Sequence, residues 1–223
     1  MYEKVVSGKF ISRPNRFIAN VEIDGKTEVC HVKNTGRCRE LLVPDARVIL
    51  QLSDNPNRKT KYDLVAVYKG DMLINMDSQA PNKVFGEWAV ESGFFGEISK
   101  IKPECKYKNS RFDFYIEAEG KRIFVEVKGV TLEEDGVVMF PDAPTERGIK
   151  HLNELADAVE NGYEAYVFFI IQMEKCKFFT PNRKTHPQFA DALKDDKGVN
   201  IVALDCKVTE QTLVANKFVE VKT

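Results

Sequence analysis

The sequence predicts a chain of the α/β class (α+β overall), with a small β-barrel in residues 1–78 followed by an α/β domain in residues 79–223. Two observations predict this division. Short apolar-alternating runs separated by turn signals fill the first part. Helical periodicity begins only in the second part, where a continuous apolar run is typical of a strand buried on both faces. The second part should therefore contain a mixed central sheet flanked by helices.

The predicted barrel consists of short strands, at residues 5–11, 17–23, 27–32, 47–52, 63–67 and 72–74. Asp24-Gly25 between the second and third is a hairpin signal. Residues 34–42 interrupt the strands, and Pro44-Asp45 then turns the chain into the next one. This order is typical of a small Greek-key barrel of the OB type, a fold that binds oligonucleotides on one face.

The elements of the second part follow in order. A helix is predicted at residues 83–92, with Gly93 as its stop. Two strands at 112–116 and 123–128 form a hairpin, and a Gly- and Pro-rich loop at 136–144 follows. Thr145 should cap an amphipathic helix at 146–160. A buried strand at 163–172, a short helix at 188–194 and a strand at 200–204 complete the domain.

The hairpin carries the most informative polar residues of the chain. A turn at Glu119-Gly120 places Asp113 opposite Glu126, whereas a turn at Gly120-Lys121 places Asp113 opposite Lys128. Because side chains alternate along a strand, either register puts these three polar residues on one face, with Phe112 among the apolar residues on the other. Opposed carboxylates repel, so a divalent cation between them would explain the pair. The alternative is the solvent-exposed face of an ordinary hairpin.

Composition bounds the class of protein. The 223 residues are 43% hydrophobic and 30% charged, with a net charge of −1, which alone argues against a nucleic-acid binder. Residues 1–75, however, carry 13 Lys and Arg against 9 Asp and Glu. A basic N-terminal part suits a polyanion. The five scattered cysteines, the lack of a signal-peptide pattern and the lack of a membrane-length apolar run predict a cytoplasmic protein without membrane contact.

The second part resembles the PD-(D/E)xK nuclease superfamily in its constellation of Asp113 with Glu126-Val127-Lys128, between a Glu-bearing helix and an amphipathic helix. The resemblance implies catalytic roles for Asp113, Glu126 and Lys128. It implies that Glu87, Asp113 and Glu126 bind Mg²⁺ or Mn²⁺, with no organic cofactor. Phe112 stands where many members have proline.

Four segments widen the resemblance to nearly the whole chain. They are Asn34-Thr35-Gly36-Arg37, Ser110-Arg111-Phe112-Asp113-Phe114, residues 125–132 and residues 140–152. Their sequence and order resemble the sugar fermentation stimulation protein A (SfsA) family. This resemblance implies an N-terminal OB-like domain, a C-terminal nuclease-like domain, DNA binding without sequence preference and a role in regulating sugar utilisation.

Basic and polar residues predict where DNA phosphates would be held. The candidate contacts are Arg13, Asn34, Arg37, Arg39, Lys59, Arg111, Arg147, Lys150 and His151. The residues from Arg147 to Glu154 include a polar stripe on the 146–160 helix, for which a solvated surface is the alternative. The predicted partner is double-stranded DNA, bound mainly through its phosphates, and a homodimer is one option for the assembly.

The sequence thus predicts a DNA-binding protein with a metal-dependent phosphodiesterase site. A nuclease fold that binds DNA without cleaving it is the first alternative. An enzyme acting on a small phosphorylated molecule through the same metal face is the second.

Overall fold

The computed structural model describes residues 1–34, 36–55, 57–195 and 197–223. Thr35, part of the predicted 34–37 phosphate-binding segment, lies outside the described residues. No helix of the described chain is both long and apolar enough to cross a membrane. The elements are, in order, β1 Val5–Asn15, β2 Ile18–Ile23, β3 Lys26–Val32, β4 Arg47–Leu52, β5 Tyr62–Lys69, β6 Met72–Asn75, α1 Ala80–Glu91, β7 Ile98–Tyr107, β8 Ser110–Ala118, β9 Lys121–Val130, β10 Leu132–Glu134, β11 Val137–Phe140, α2 Glu146–Glu160, β12 Glu164–Ile171, β13 Phe178–Pro181, α3 Pro187–Lys194, β14 Val199–Val208 and β15 Leu213–Phe218.

The N-terminal sheet is the predicted barrel. Its strands run in the order β3-β2-β1-β4-β5-β6, and a parallel pairing between β3 and β5 closes it. Asp24 and Gly25 both have positive φ angles, 49° and 74°, as a two-residue hairpin turn requires. The predicted barrel class is confirmed.

The central sheet of the second part is mixed, as predicted. Its order is β15-β14-β12-β9-β8-β7, with β9, β12 and β14 parallel and the outer strands antiparallel. One apolar cluster packs α1 against one face, through residues such as Phe85 and Val125. A second apolar cluster packs α2 against the other face, through Phe124 and Leu155. The sheet is therefore covered on both faces, which explains the apolar run in β12.

The Gly- and Pro-rich segment differs from its prediction. The sequence predicts a loop over residues 136–144, but Asp135-Gly136 is a tight turn between β10 and β11. The strand β11 then pairs in parallel with β13, about forty positions further along the chain, in a separate three-stranded sheet. The apolar run Val137-Val138-Met139-Phe140 supplies the strand, and only residues 141–145 remain irregular.

A buried polar network joins the two parts where β6 leads into α1. Gln172 donates to the Asn75 Oδ1 atom at 2.8 Å and to the Asp77 carbonyl at 3.0 Å. Tyr2 donates to Asp77 at 3.2 Å, and Lys33 pairs with the same carboxylate at 2.7 Å. Because buried polar groups must be satisfied to be stable, this network fixes the barrel against the central sheet.

Candidate functional site

The turn between β8 and β9 settles the register left open by the sequence. Ala118 pairs with Lys121, and Glu119 and Gly120 have φ angles of 50° and 77°. This is the Glu119-Gly120 alternative, which directs Asp113 toward Glu126. The described pairing of the two strands ends at Phe114 with Val125.

Beyond this last pair the two strands stop following simple alternation. The Phe112 ring packs 5.2 Å from Phe124 and 6.3 Å from His151, on the α2 side of the sheet. The prediction that Phe112 lies on the opposite face is therefore wrong. Asp113 accepts a hydrogen bond from the Val127 N–H at 2.8 Å. The polar residues thus converge because strand pairing ends beside them, and face alternation alone does not account for it.

Glu126 lies at the centre of this convergence. Its side chain is buried, and its Oε1 atom accepts hydrogen bonds from both Lys128 and His151. Its Oε2 atom is buried and has no hydrogen-bond partner within the part of the chain that the structure describes. An unsatisfied buried carboxylate oxygen is costly, so this atom is free to accept a cation or a donor from a ligand.

Burial and charge act differently on the two carboxyls. For Asp113, burial and the neighbouring charge of Glu126 raise the pKa above its ordinary value. For Glu126, burial also acts to raise the pKa, but the contacts with His151 and Lys128 outweigh it and hold the pKa below its ordinary value. Glu126 is therefore the more readily ionised of the pair.

Helix α1 contributes Asn82 to this cluster. The Asn82 Nδ2 atom donates to Asp113 Oδ1 at 2.8 Å. Glu87, the helix acid implied by the nuclease resemblance, is exposed, lies 3.8 Å from Lys83, and lines an outer groove beside β15. Glu87 follows Asn82 by five positions, which correspond to about 140° around a helix. The structure therefore does not bring Glu87 to Asp113. Sequence reasoning missed Asn82, which no spacing rule distinguishes from other helix-start polar residues.

The remaining cluster fits a cation, although its ligand set is smaller than the resemblance implies. Within the described residues, no three His, Cys, Asp or Glu side chains are arranged to hold a metal ion together. Glu126 is a buried and Asp113 a partly buried oxygen donor, and the pKa of Asp113 is raised. A hard divalent ion that keeps water or phosphate ligands suits two carboxylates.

Helix α2 presents its first two turns to the cluster. Thr145 caps the helix as predicted, with its hydroxyl accepting from the Gly148 N–H at 3.0 Å. His151 is buried against Glu126 and lies in the carboxylate cluster. It is therefore not exposed for the phosphate contact that the sequence predicts. Arg147 and Lys150 are exposed, with Arg147 at 3.4 Å from His151 and Lys150 at 3.9 Å from Glu154.

Arg13 has a structural role that the sequence did not predict. Its two terminal nitrogens donate to four main-chain carbonyls, those of Arg16, Asn34, Gly36 and Arg37, at 2.6–2.9 Å. The side chain of Asn34 accepts from the Gly36 N–H at 2.7 Å. Both residues therefore hold the loop after β3. Arg13 also lines the cleft described below, but its two terminal nitrogens are engaged by main-chain carbonyls, so a phosphate contact through Arg13 stays a prediction.

The other predicted phosphate contacts are exposed but dispersed. Arg37 and Arg39 line one cleft together with Arg13 and with Arg16, which is not among the predicted contacts. Lys59 lies in the exposed connection between β4 and β5. Arg111 pairs with Glu104 at 3.0 Å, near the start of β8. The arginines of the cleft, by contrast, converge on a concave surface.

Two of the cavities at the junction of barrel and sheet adjoin each other. The first, of about 530 Å³, is the arginine cleft, whose lining includes Arg13, Arg16, Arg37, Arg39, Gly36 and Ala143. The second, of about 340 Å³, lies beyond the carboxyl ends of β9 and β12. Its lining consists of Asn34, Gly36, Ser78, Gly129, Val130, Thr131, Leu132, Met139, Phe140, Pro141, Asp142, Ala143, Pro144, Thr145 and Gln172. We call it the junction cavity.

Comparison with known sequences and structures gives consistent matches. Residues 11–76 match the profile of the SfsA N-terminal OB domain, and residues 79–212 match the sugar fermentation stimulation protein RE domain. A sugar fermentation stimulation protein homolog of Desulfitobacterium hafniense (strain Y51) is 65% identical over 223 residues, 99% of this chain and 97% of the relative. A homolog of the same description from Clostridium beijerinckii is 59% identical over 222 residues, 99% of this chain and 98% of the relative.

A solved structure is also similar over the full chain. The structure of Pyrococcus furiosus SfsA in complex with Ca²⁺ matches with a TM-score of 0.91 at 28% identity, covering 100% of this chain and 98% of that one.

Proposed function

Because the chain belongs to the SfsA family, which is named for the stimulation of sugar fermentation, we propose that it is a DNA-binding protein with a metal-dependent phosphodiesterase site. The observation that carries the proposal is the free, buried Oε2 atom of Glu126 beside Asp113. The similar Pyrococcus furiosus protein was solved with Ca²⁺, which supports divalent-cation binding here.

Asp113 and Glu126 would hold the cation, and a bound Mg²⁺ or Mn²⁺ would supply charge to the scissile phosphate and lower the pKa of a water molecule. Asn82 and the Val127 N–H hold the two oxygens of Asp113 in place. His151 and Lys128 keep Glu126 ionised. Lys128 also brings an ammonium to the place where the phosphate charge develops, which stabilises the transition state.

Double-stranded DNA is the proposed substrate, held through its phosphates by the arginine cleft. Arg16, Arg37 and Arg39 are exposed there. Such contacts give affinity without sequence preference and make binding sensitive to salt. DNA binding is also the route by which the protein would act on sugar utilisation, as a regulator.

Cleavage of supercoiled plasmid in Mg²⁺ or Mn²⁺ tests the proposal. We expect the wild type to cleave, and Glu126→Gln and Lys128→Met to lose activity by about 10²-fold or more, since each removes a charge at the reacting phosphate. Glu91→Gln is the matched control, because Glu91 is an exposed acid of α1 in the outer groove. It should cleave as the wild type does.

A wild type that binds both DNA and metal without cleaving would contradict the enzymatic part of the proposal. That result would support the alternative of a nuclease fold that only binds.

A further inference from the structure

The junction cavity adjoins the candidate site along one strand. It begins at Gly129, the residue that follows Lys128 on β9, and continues through Val130 to Leu132. Gln172, just after β12, lines it as well. In sheets with parallel strands, ligands bind in crevices beyond the carboxyl ends of those strands. The cavity thus lies where ligand sites are found in such sheets, and its lining begins one residue after Lys128 of the candidate site.

The same cavity adjoins the arginine cleft. Gly36 of the barrel loop and Ala143 of the segment before α2 line both spaces. A polyanion lying along Arg37 and Arg39 would therefore pass the mouth of the cavity before it reaches Lys128. The hydrogen bonds of Arg13 to the barrel loop hold this wall in place.

The size and lining of the cavity suit one nucleotide. Its volume of about 340 Å³ is near the lower end of the roughly 300–1,000 Å³ of small-molecule pockets, so a duplex cannot enter. Its lining combines apolar groups, among them Leu132, Met139 and Phe140, with polar groups such as Thr131 and Asp142. A base needs this combination, because it presents an apolar face and a hydrogen-bonding edge.

We propose that the junction cavity receives one unpaired base of the bound strand, while the arginine cleft holds the phosphates beside it. The protein would then prefer DNA that contains an unpaired or displaced nucleotide over fully paired DNA. A base that is already unpaired avoids the cost of leaving the stack. This inference rests on the proposed function only in requiring DNA binding, and it requires neither metal nor cleavage.

Fluorescence anisotropy in EDTA tests the inference with two labelled duplexes that differ by one bulged nucleotide. We expect the wild type to bind the bulged duplex about tenfold more tightly, a factor within the range of one buried base. Ala143→Trp, which fills the cavity, should reduce this preference to about twofold or less. Ala143→Leu adds less volume and should give an intermediate loss, so the test survives if the tryptophan variant fails to fold.

Ala215→Trp is the matched control, because Ala215 is a half-buried alanine lining the outer groove beside Trp88. It should keep the full preference. Equal binding of both duplexes by the wild type would overturn the inference while leaving the proposed function intact. An unchanged preference in both Ala143 variants would also overturn it. If the wild type binds neither duplex, DNA binding itself fails, and the proposed function fails with it.

Discussion

Among the described residues, Glu126 has two hydrogen-bond partners on one carboxylate oxygen and none on the other. Lys128 and His151 contact Oε1, while Oε2 is buried and meets no partner in residues 1–34, 36–55, 57–195 and 197–223. The two contacts stabilise the ionised form of Glu126, and a further positive charge beside Oε2 would stabilise it more. At the scale of the residue, one carboxylate oxygen of Glu126 is hydrogen-bonded within the protein and the other is available to a ligand.

The two carboxyls should affect stability with opposite signs. The lowered pKa of Glu126 contributes stability above the unfolded pKa, and this is lost as the pH falls through the folded value. The raised pKa of Asp113 means that its protonated form stabilises the fold, and this is lost as the pH rises through the folded value. Near neutral pH, ionised Asp113 therefore destabilises the metal-free protein.

Carbon-13 NMR titration of the Asp113 carboxyl measures its raised pKa directly. Without metal, we expect a pKa above that of an ordinary aspartate, because burial and Glu126 disfavour the charge. Added Ca²⁺ should lower it, since a cation favours the ionised form. A titration that Ca²⁺ leaves unchanged would show that Asp113 does not bind the ion.

Arg13 and Arg39 should respond differently to the loss of charge. Arg13→Gln should lower the free energy of unfolding by about 1–3 kcal/mol, because the four carbonyls of its loop lose their donors. Arg39→Gln should leave the free energy of unfolding unchanged. It should reduce the slope of log DNA affinity against log salt concentration by about the amount expected for one phosphate contact. Thermal unfolding and binding at several salt concentrations measure both. Equal effects of the two substitutions on the salt dependence would contradict the assignment.

At the scale of elements, the close approach of β9 to α1 depends on a glycine. A Cβ at Gly129 would lie 2.6 Å from Gln172 Oε1 and 2.8 Å from Pro81 Cγ. The proline ring cannot move aside easily, so an added methyl would displace the strand beside Lys128.

Gly129→Ala should therefore lower the free energy of unfolding by about 1–3 kcal/mol through overpacking. Gly86→Ala in α1 is the control, because its Cβ would meet Phe114 at 3.4 Å and alanine favours a helix. The control should be neutral or stabilising in chemical denaturation. If both substitutions had the same effect, the close approach at Gly129 would not matter.

Local signals allowed most elements to be predicted from the sequence. The Asp24-Gly25 turn and the Thr145 cap are short-range features, and each is found where predicted. For the turn between β8 and β9 the sequence allowed two positions, and the structure has the one at Glu119-Gly120. The parallel pairing of β11 with β13 was not predictable, because it joins segments that are distant in the chain and too short for a periodic pattern.

The candidate site was predictable only in part for a similar reason. The spacing of Asp113, Glu126 and Lys128 follows from one hairpin. By contrast, the burial of His151 and the choice of Asn82 over Glu87 depend on how α1 and α2 are rotated against the sheet. Rotation is decided by packing across the whole domain, which no local pattern records.

At the scale of the whole molecule, the barrel and the central sheet form one unit. A single apolar cluster includes residues of both parts, such as Leu64 of the barrel and Phe169 of β12. The buried network around Asp77 adds polar contacts across the same junction. A fixed junction keeps the arginine cleft at a constant position relative to Asp113, which pre-organises the site for a bound strand.

Calorimetric titration of Ca²⁺ into the wild type and Asp113→Asn tests whether the Asp113–Glu126 cluster binds a divalent cation. We expect one site in the wild type, and in Asp113→Asn its loss or a weakening by about tenfold or more, since one of two anionic ligands is removed. Binding of equal affinity in both proteins, or none in the wild type, would show that the cluster is not a cation site.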